Sequence, residues 1–111
     1  MDETLLENLS AELRRGTQIL AVLSQLDKTQ YGYSLLQTLT EKHVAIEAGT
    51  LYPLLRRLES QGLLKSEWDT TESRPRKYYL LSEDGKEAVR LLKQEWQAIT
   101  KEMSLLFTEE K

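Results

Sequence analysis

Two groups of cations carry the clearest chemistry in this chain: Arg56 and Arg57, then Arg74, Arg76 and Lys77. Cations this close together grip anions, and the planar guanidinium fork fits phosphate oxygens or the edge of guanine. Thr50 and Tyr52, a few residues ahead of the first pair, add hydroxyls that can meet a phosphate or a base edge. Pro75 stiffens the second group by fixing φ. From Gly49 to Tyr79 six basic residues face four acidic ones, a net charge of +2. The rest of a chain whose total is −3 therefore carries −5. The acidic Asp2, Glu3, Glu7 and Glu12 open the chain with no base among its first 13 residues. One middle segment is thereby marked as the anion-facing surface.

Other chemistries find no support in the residue types. With no cysteine and one histidine, His43, thiol catalysis, disulfides and thiolate metal sites drop out, and little is left for zinc. No phosphate loop, nucleophile elbow, His-Glu metal motif or carboxylate pair on an apolar face occurs. We expect no enzyme activity, no cofactor and no metal. No run of about 18 apolar residues is present, and the acidic start Met1-Asp2-Glu3-Thr4 is unlike a basic secretory leader. The expected location is cytoplasmic and nucleoid-associated, with no membrane partner.

The elements that must position these cations follow from periodicity. Leu13, Ile19, Leu20, Leu23 and Leu26 step by three and four, predicting a first helix from Ala11 to Leu26. Asp27 to Gln30 interrupts it. Leu35, Leu36 and Leu39 then mark a second helix ending near Lys42, and His43 to Glu47 form a linker with room for one extended pairing. Gly49-Thr50 open a third helix whose leucines at 51, 54, 55 and 58 share one face, with Pro53 tolerated in the first turns and Gly62 as a left-handed cap. On that reading Thr50, Tyr52, Arg56 and Arg57 divide its exposed faces. Leu63–Trp68 and Lys77–Leu81 read as a hairpin with a long exposed tip, in which one of Tyr78 and Tyr79 must face the core. Ser82 caps a last helix, aided by Glu83 and Asp84 in its first turn.

The last helix shows a heptad seam: Val89, Leu92, Trp96, Ile99, Met103 and Leu106 are spaced 3, 4, 3, 4 and 3 apart. A chain of this size buries only roughly two-thirds of its unfolded surface, so a long apolar element left over meets a second copy. We expect a homodimer with these six residues in its interface.

The order of elements is that of a winged helix-turn-helix: mainly α with a small two-stranded β-wing, plus a long C-terminal helix. The expected domains are 1–10, a flexible segment or the start of the first helix; 11–82, the DNA-binding domain; 83–107, the dimerisation helix; and 108–111, a tail. The stretch Gly49-Thr50-Leu51-Tyr52-Pro53-Leu54-Leu55-Arg56-Arg57-Leu58-Glu59-Ser60-Gln61-Gly62, with Arg74-Pro75-Arg76-Lys77-Tyr78-Tyr79 and Tyr31-Gly32-Tyr33-Ser34-Leu35-Leu36, resembles the PadR family of bacterial transcription regulators. The likeness runs from about Leu13 to Leu106. The short length, with one helix after the wing, is similar to the compact subfamily that contains multidrug-sensing repressors.

The resemblance implies a dimeric repressor on a pseudo-palindromic double-stranded DNA operator, with one recognition helix per half-site about 34 Å apart. It implies as targets the chain's own gene and a neighbouring transporter or detoxification gene. DNA contacts are expected from Tyr33, Thr50, Tyr52, Arg56, Arg57, Arg74, Arg76 and Lys77. Trp96 has two readings: packing in the dimer seam, or, with Leu92, Ile99 and Leu20, walling a slot for a small planar hydrophobic inducer. A rival reading is a winged-helix protein-interaction module whose wing docks an acidic protein without DNA.

Overall fold

In the computed structural model, residues 1–108 are described. The element order is α1 (Glu3–Ser24), β1 (Gln30–Tyr31), α2 (Gly32–Glu41), α3 (Ala48–Ser60), β2 (Leu64–Asp69), β3 (Arg76–Leu81) and α4 (Glu83–Phe107). Of the expected tail, Thr108 caps α4, and residues 109–111 lie outside the described residues.

Leucine packing builds the core. Leu51, Leu54, Leu55 and Leu58 of α3 are all buried, beside Val22 and Leu23 of α1, Leu26 just after it, Leu35 and Leu39 of α2, and Leu64, Tyr79 and Leu81 of the sheet. Each fully buried leucine contributes about 1.5–3 kcal/mol relative to exposure. Helices α2 and α3 end alike. The Gly62 N–H donates to the Glu59 carbonyl and Leu63 to Leu58, while His43 donates to Thr40 and Val44 to Leu39. Both turns need one left-handed residue: Gly62 supplies it at φ +82°, and His43, a residue with a Cβ, at φ +64°.

The winged helix-turn-helix is as the sequence predicts, with two differences. The wing belongs to a three-stranded antiparallel sheet in the order β1-β3-β2, in which Gln30 pairs with Tyr79 and Tyr31 with Tyr78. The extended pairing thus forms at Gln30–Tyr31, ahead of α2, and the His43–Glu47 linker stays free of strand. In addition α1 opens at Glu3, where the Asp2 carboxylate accepts from the Thr4 N–H, so most of the segment 1–10 is helical.

The joint between wing and α4 is dense in backbone contacts. The Ser82 N–H donates to the Leu63 carbonyl, its hydroxyl donates to the Gly62 carbonyl at 2.6 Å, and the Gly85 N–H donates to the Ser82 hydroxyl oxygen. No helix among the described residues is long and apolar enough to cross a membrane.

Candidate nucleic-acid interface

Turning about 100° per residue, α3 sets its four buried leucines on one side and Gly49, Pro53, Arg56 and Ser60 along the middle of the opposite, exposed side. Arg56 is thus central to the free face. Thr50 and Arg57 lie along one edge of it, where both line a cleft against Arg15, Gln18 and Ile19 of α1. Tyr52 lies along the other edge and is half-buried. A Cβ placed on Gly32 would sit 2.6 Å from the Tyr52 ring, so ring and glycine are in direct contact. The expectation that Tyr52 stands on an exposed face is therefore only partly met: one side of its ring packs on the start of α2. Tyr33, in the first turn of α2, is 65% exposed, and its hydroxyl accepts from the Gln37 amide.

The wing cations are divided by the pleat. Strand residues alternate faces, so Arg76 and Lys77 point to opposite sides. Lys77 turns toward α3: its ammonium lies 3.3 Å from Glu59 and 5.4 Å from the Tyr79 ring centroid. The Ser66 hydroxyl donates to the same Glu59 carboxylate and, with Lys77, holds that carboxyl below its ordinary pKa. Arg76 lies on the outer face, 3.0 Å from Glu72, with its guanidinium 5.0 Å above the Tyr31 ring. Tyr31 meets Tyr78 edge-to-face at 5.9 Å and donates its hydroxyl to Asp69. That bond, reinforced by the Thr71 hydroxyl and N–H, holds the Asp69 carboxyl down to about 2 and raises the Tyr31 phenol.

The expected cluster of three neighbouring wing cations thus does not form a single surface. Lys77 fastens the hairpin to α3 and Arg76 fastens it to β1. Arg74, exposed beside Pro75, makes no ion pair among the described residues, and neither do Arg56 and Arg57. Strand alternation is a signal that could have separated Arg76 from Lys77, but the partner of Lys77 could not be read, because Glu59 lies far from it along the chain.

Residues 19–91 match the transcriptional regulator PadR-like family. The chain belongs to the PadR family of transcriptional regulators. A PadR family regulator from Eggerthella lenta has 45% identity to it and a TM-score of 0.87, covering 96% of each chain. A PadR family regulator from Clostridium difficile has 33% identity and a TM-score of 0.74, covering 81% of this chain and 97% of its own. Transcriptional regulator Rv3488 of Mycobacterium tuberculosis is 35% identical over 70% of this chain and 74% of its own length.

The PadR-family winged helix is a DNA-binding module, and in this chain a second apolar surface accompanies it. The α4 seam divides in two. Val89 and Leu92 pack partly against the chain's own core, because the first turns of α4 lie over it. Beyond them Trp96 is 47% exposed, Ile99 44%, Met103 39% and Leu106 74%. The first half of α1 is equally uncovered, with Leu5, Leu6, Leu9 and Leu13 all exposed. Between α1 and α4 runs an open cleft of about 700 Å³ that Leu20, Leu92, Trp96 and Ile99 all line, with Leu13, Ile19 and Glu95. The structure therefore brings together the four residues named from sequence as one apolar wall.

Proposed function

We propose that this PadR regulator is a homodimeric repressor on a pseudo-palindromic operator, reading each half-site with the exposed face of α3. One observation carries the reading: that face centres on Arg56, opposite four buried leucines, with Arg57 along its edge, and among the described residues neither these two nor Arg74 of the wing makes an ion pair. Thr50, Tyr33 and the free side of Tyr52 supply hydroxyls for phosphate or base edges. Arg76 stays half-exposed in a surface ion pair worth little and can turn to phosphate; Lys77 has the weaker claim. Dimerisation through Val89, Leu92, Trp96, Ile99, Met103 and Leu106 would cover the uncovered part of the α4 seam, with α1 beside it.

Selection of sites from a random duplex pool tests this, with solution mass measured alongside. The expected result is an inverted repeat bound by a dimer. Three arginines per subunit on phosphate give six in the dimer and a log-log salt slope of about −5. A slope near zero, or no enrichment by a folded dimer, refutes the reading and favours the protein-docking module.

The cleft supports a second step, release by a small planar hydrophobic inducer. A ligand relieves repression only if it binds better to a dimer whose recognition helices are mis-spaced for DNA. In protein carrying Trp68→Phe, planar dyes should quench the remaining Trp96 emission, and DNA should weaken the dye in the same ratio as the dye weakens DNA. A flat titration leaves Trp96 as packing.

A further inference from the structure

We propose that Trp68 is the wing's principal contact to DNA, laid against the sugar-phosphate edge of the groove flanking each half-site. The inference rests on the DNA-binding reading above and assigns the wing's part in it to an aromatic ring and not to the Arg76-Lys77 pair.

Trp68 is 63% exposed, an unusual place for a large apolar ring. Among the described residues every other exposed large apolar side chain lies at Met1, on α1 or on α4, apart from Tyr33. Those on α1 and α4 have the dimer to cover them. Trp68 stands apart from that set, on the DNA-reading half of the chain.

Its direction follows from register. Leu64 pairs with Leu81, Ser66 with Tyr79 and Trp68 with Lys77, so these side chains share one face of the hairpin. Leu64, Tyr79 and Leu81 are buried on that face, and Ser66 and Lys77 both reach Glu59 in the last turn of α3. Trp68 is two residues further toward the wing tip on the same side, past the rung at which Ser66 meets Glu59. A duplex lying along the exposed face of α3 meets this ring next.

The surrounding charges permit that approach. Glu59 is matched by Lys77 and Glu72 by Arg76, while Glu67 and Asp69 alternate onto the hairpin face opposite Trp68, held there by the Tyr78 and Tyr31 hydroxyls. Each wing carboxylate thus has an internal partner, and Arg74 at the tip is left for phosphate. An indole suits the remaining space: its ring covers the apolar sugar edge while its N–H donates to a phosphate oxygen.

The probe is the duplex that wild-type protein recovers from a random pool. Because the ring is exposed, Trp68→Ala should keep the wild-type unfolding midpoint. It should lower affinity for that duplex roughly tenfold, the low end of what losing an aromatic that stacks on a base costs, with an unchanged salt slope because no charge is removed. Trp68→Phe should recover part of the loss. Arg74→Ala should instead reduce the slope by about two per dimer. In Trp96→Phe protein, adding the duplex should quench or shift the Trp68 emission. Unchanged affinity of Trp68→Ala, or silent Trp68 emission, overturns the proposal while leaving DNA binding intact, and frees the ring for a protein partner. A loss of affinity with a flattened slope also overturns it, since the ring would then act by placing cations. If the wild type recovers no duplex, the DNA-binding reading itself fails.

Discussion

Gly85 lies in the first turn of α4, where helix propensity favours alanine over glycine by about 1 kcal/mol. The structure reverses that expectation. A Cβ at Gly85 would overlap the Leu63 carbonyl oxygen, lying 3.1 Å from its carbon and 3.2 Å from Leu81 Cδ2. Two of these atoms are backbone, and the Leu63 oxygen already accepts the Ser82 N–H. Relief requires moving α4 off the base of the wing. Overpacking of this kind costs about 3 kcal/mol at the upper end of its range. Loss of one of the three Ser82-centred hydrogen bonds of this joint adds about 1 kcal/mol. Set against the propensity gain, Gly85→Ala should destabilise the chain by about 3 kcal/mol. For a domain of this length that lowers Tm by roughly 10–20 °C. The assay is thermal unfolding at fixed protein concentration, because the proposed dimerisation would make Tm concentration-dependent. The neighbouring exposed Lys86→Ala serves as the control and should stay near wild type. A Gly85→Ala protein as stable as wild type, or more so, would refute the reasoning and show that the joint is looser than its contacts imply.

The two similar helix ends make opposite predictions: His43→Gly should stabilise by about 0.5–1 kcal/mol by removing a Cβ from a left-handed residue, and Gly62→Ala should destabilise by about 1 kcal/mol, both read from urea midpoints. Leu55→Ala, emptying a fully buried site on α3, should cost about 2–5 kcal/mol in the same assay. The Asp69 carboxyl titrates at about 2 in the fold against an ordinary 3.8. The stability it contributes is therefore complete above about 4 and is lost as pH falls from there toward 2. Asp69→Asn should flatten the acid limb of the stability profile in that window, and an unchanged limb would exclude the Tyr31 bond as its source. Ile99→Arg with Met103→Glu should halve the sedimentation mass, and an intact dimer would move the interface elsewhere.

The parts legible in the sequence are those with a local cause. The 51, 54, 55, 58 leucine spacing placed α3, the Ser82 hydroxyl placed the start of α4, and Gly62 marked a turn that only a left-handed residue completes. What escaped depends on partners distant along the chain. A two-residue strand at Gln30–Tyr31 has no periodicity of its own and exists only because β3 offers an edge. Read locally, its approach is a polar interruption. His43 carries the left-handed turn at the end of α2 without the glycine that would have announced it. The wing cations looked like one cluster in sequence, and only the pleat and Glu59 separate them. Tyr52 was placed by helical spacing, yet its contact with Gly32 needs α2 and α3 together. Trp68 gave no local signal, since an aromatic in a strand is ordinarily read as core.

Helix α4 has 25 residues and is therefore about 37 Å long, fixed at one end to the base of the wing by Ser82 and Gly85. A helix of that length held at one end has the geometry of a lever. A tilt of about 5° about one end moves the opposite end by about 3 Å, close to the rise of one base pair. The proposed dimeric repressor would then need neither to unfold nor to deform its reading head to let go of DNA. A misalignment of one step along the duplex, shared between two levers, suffices.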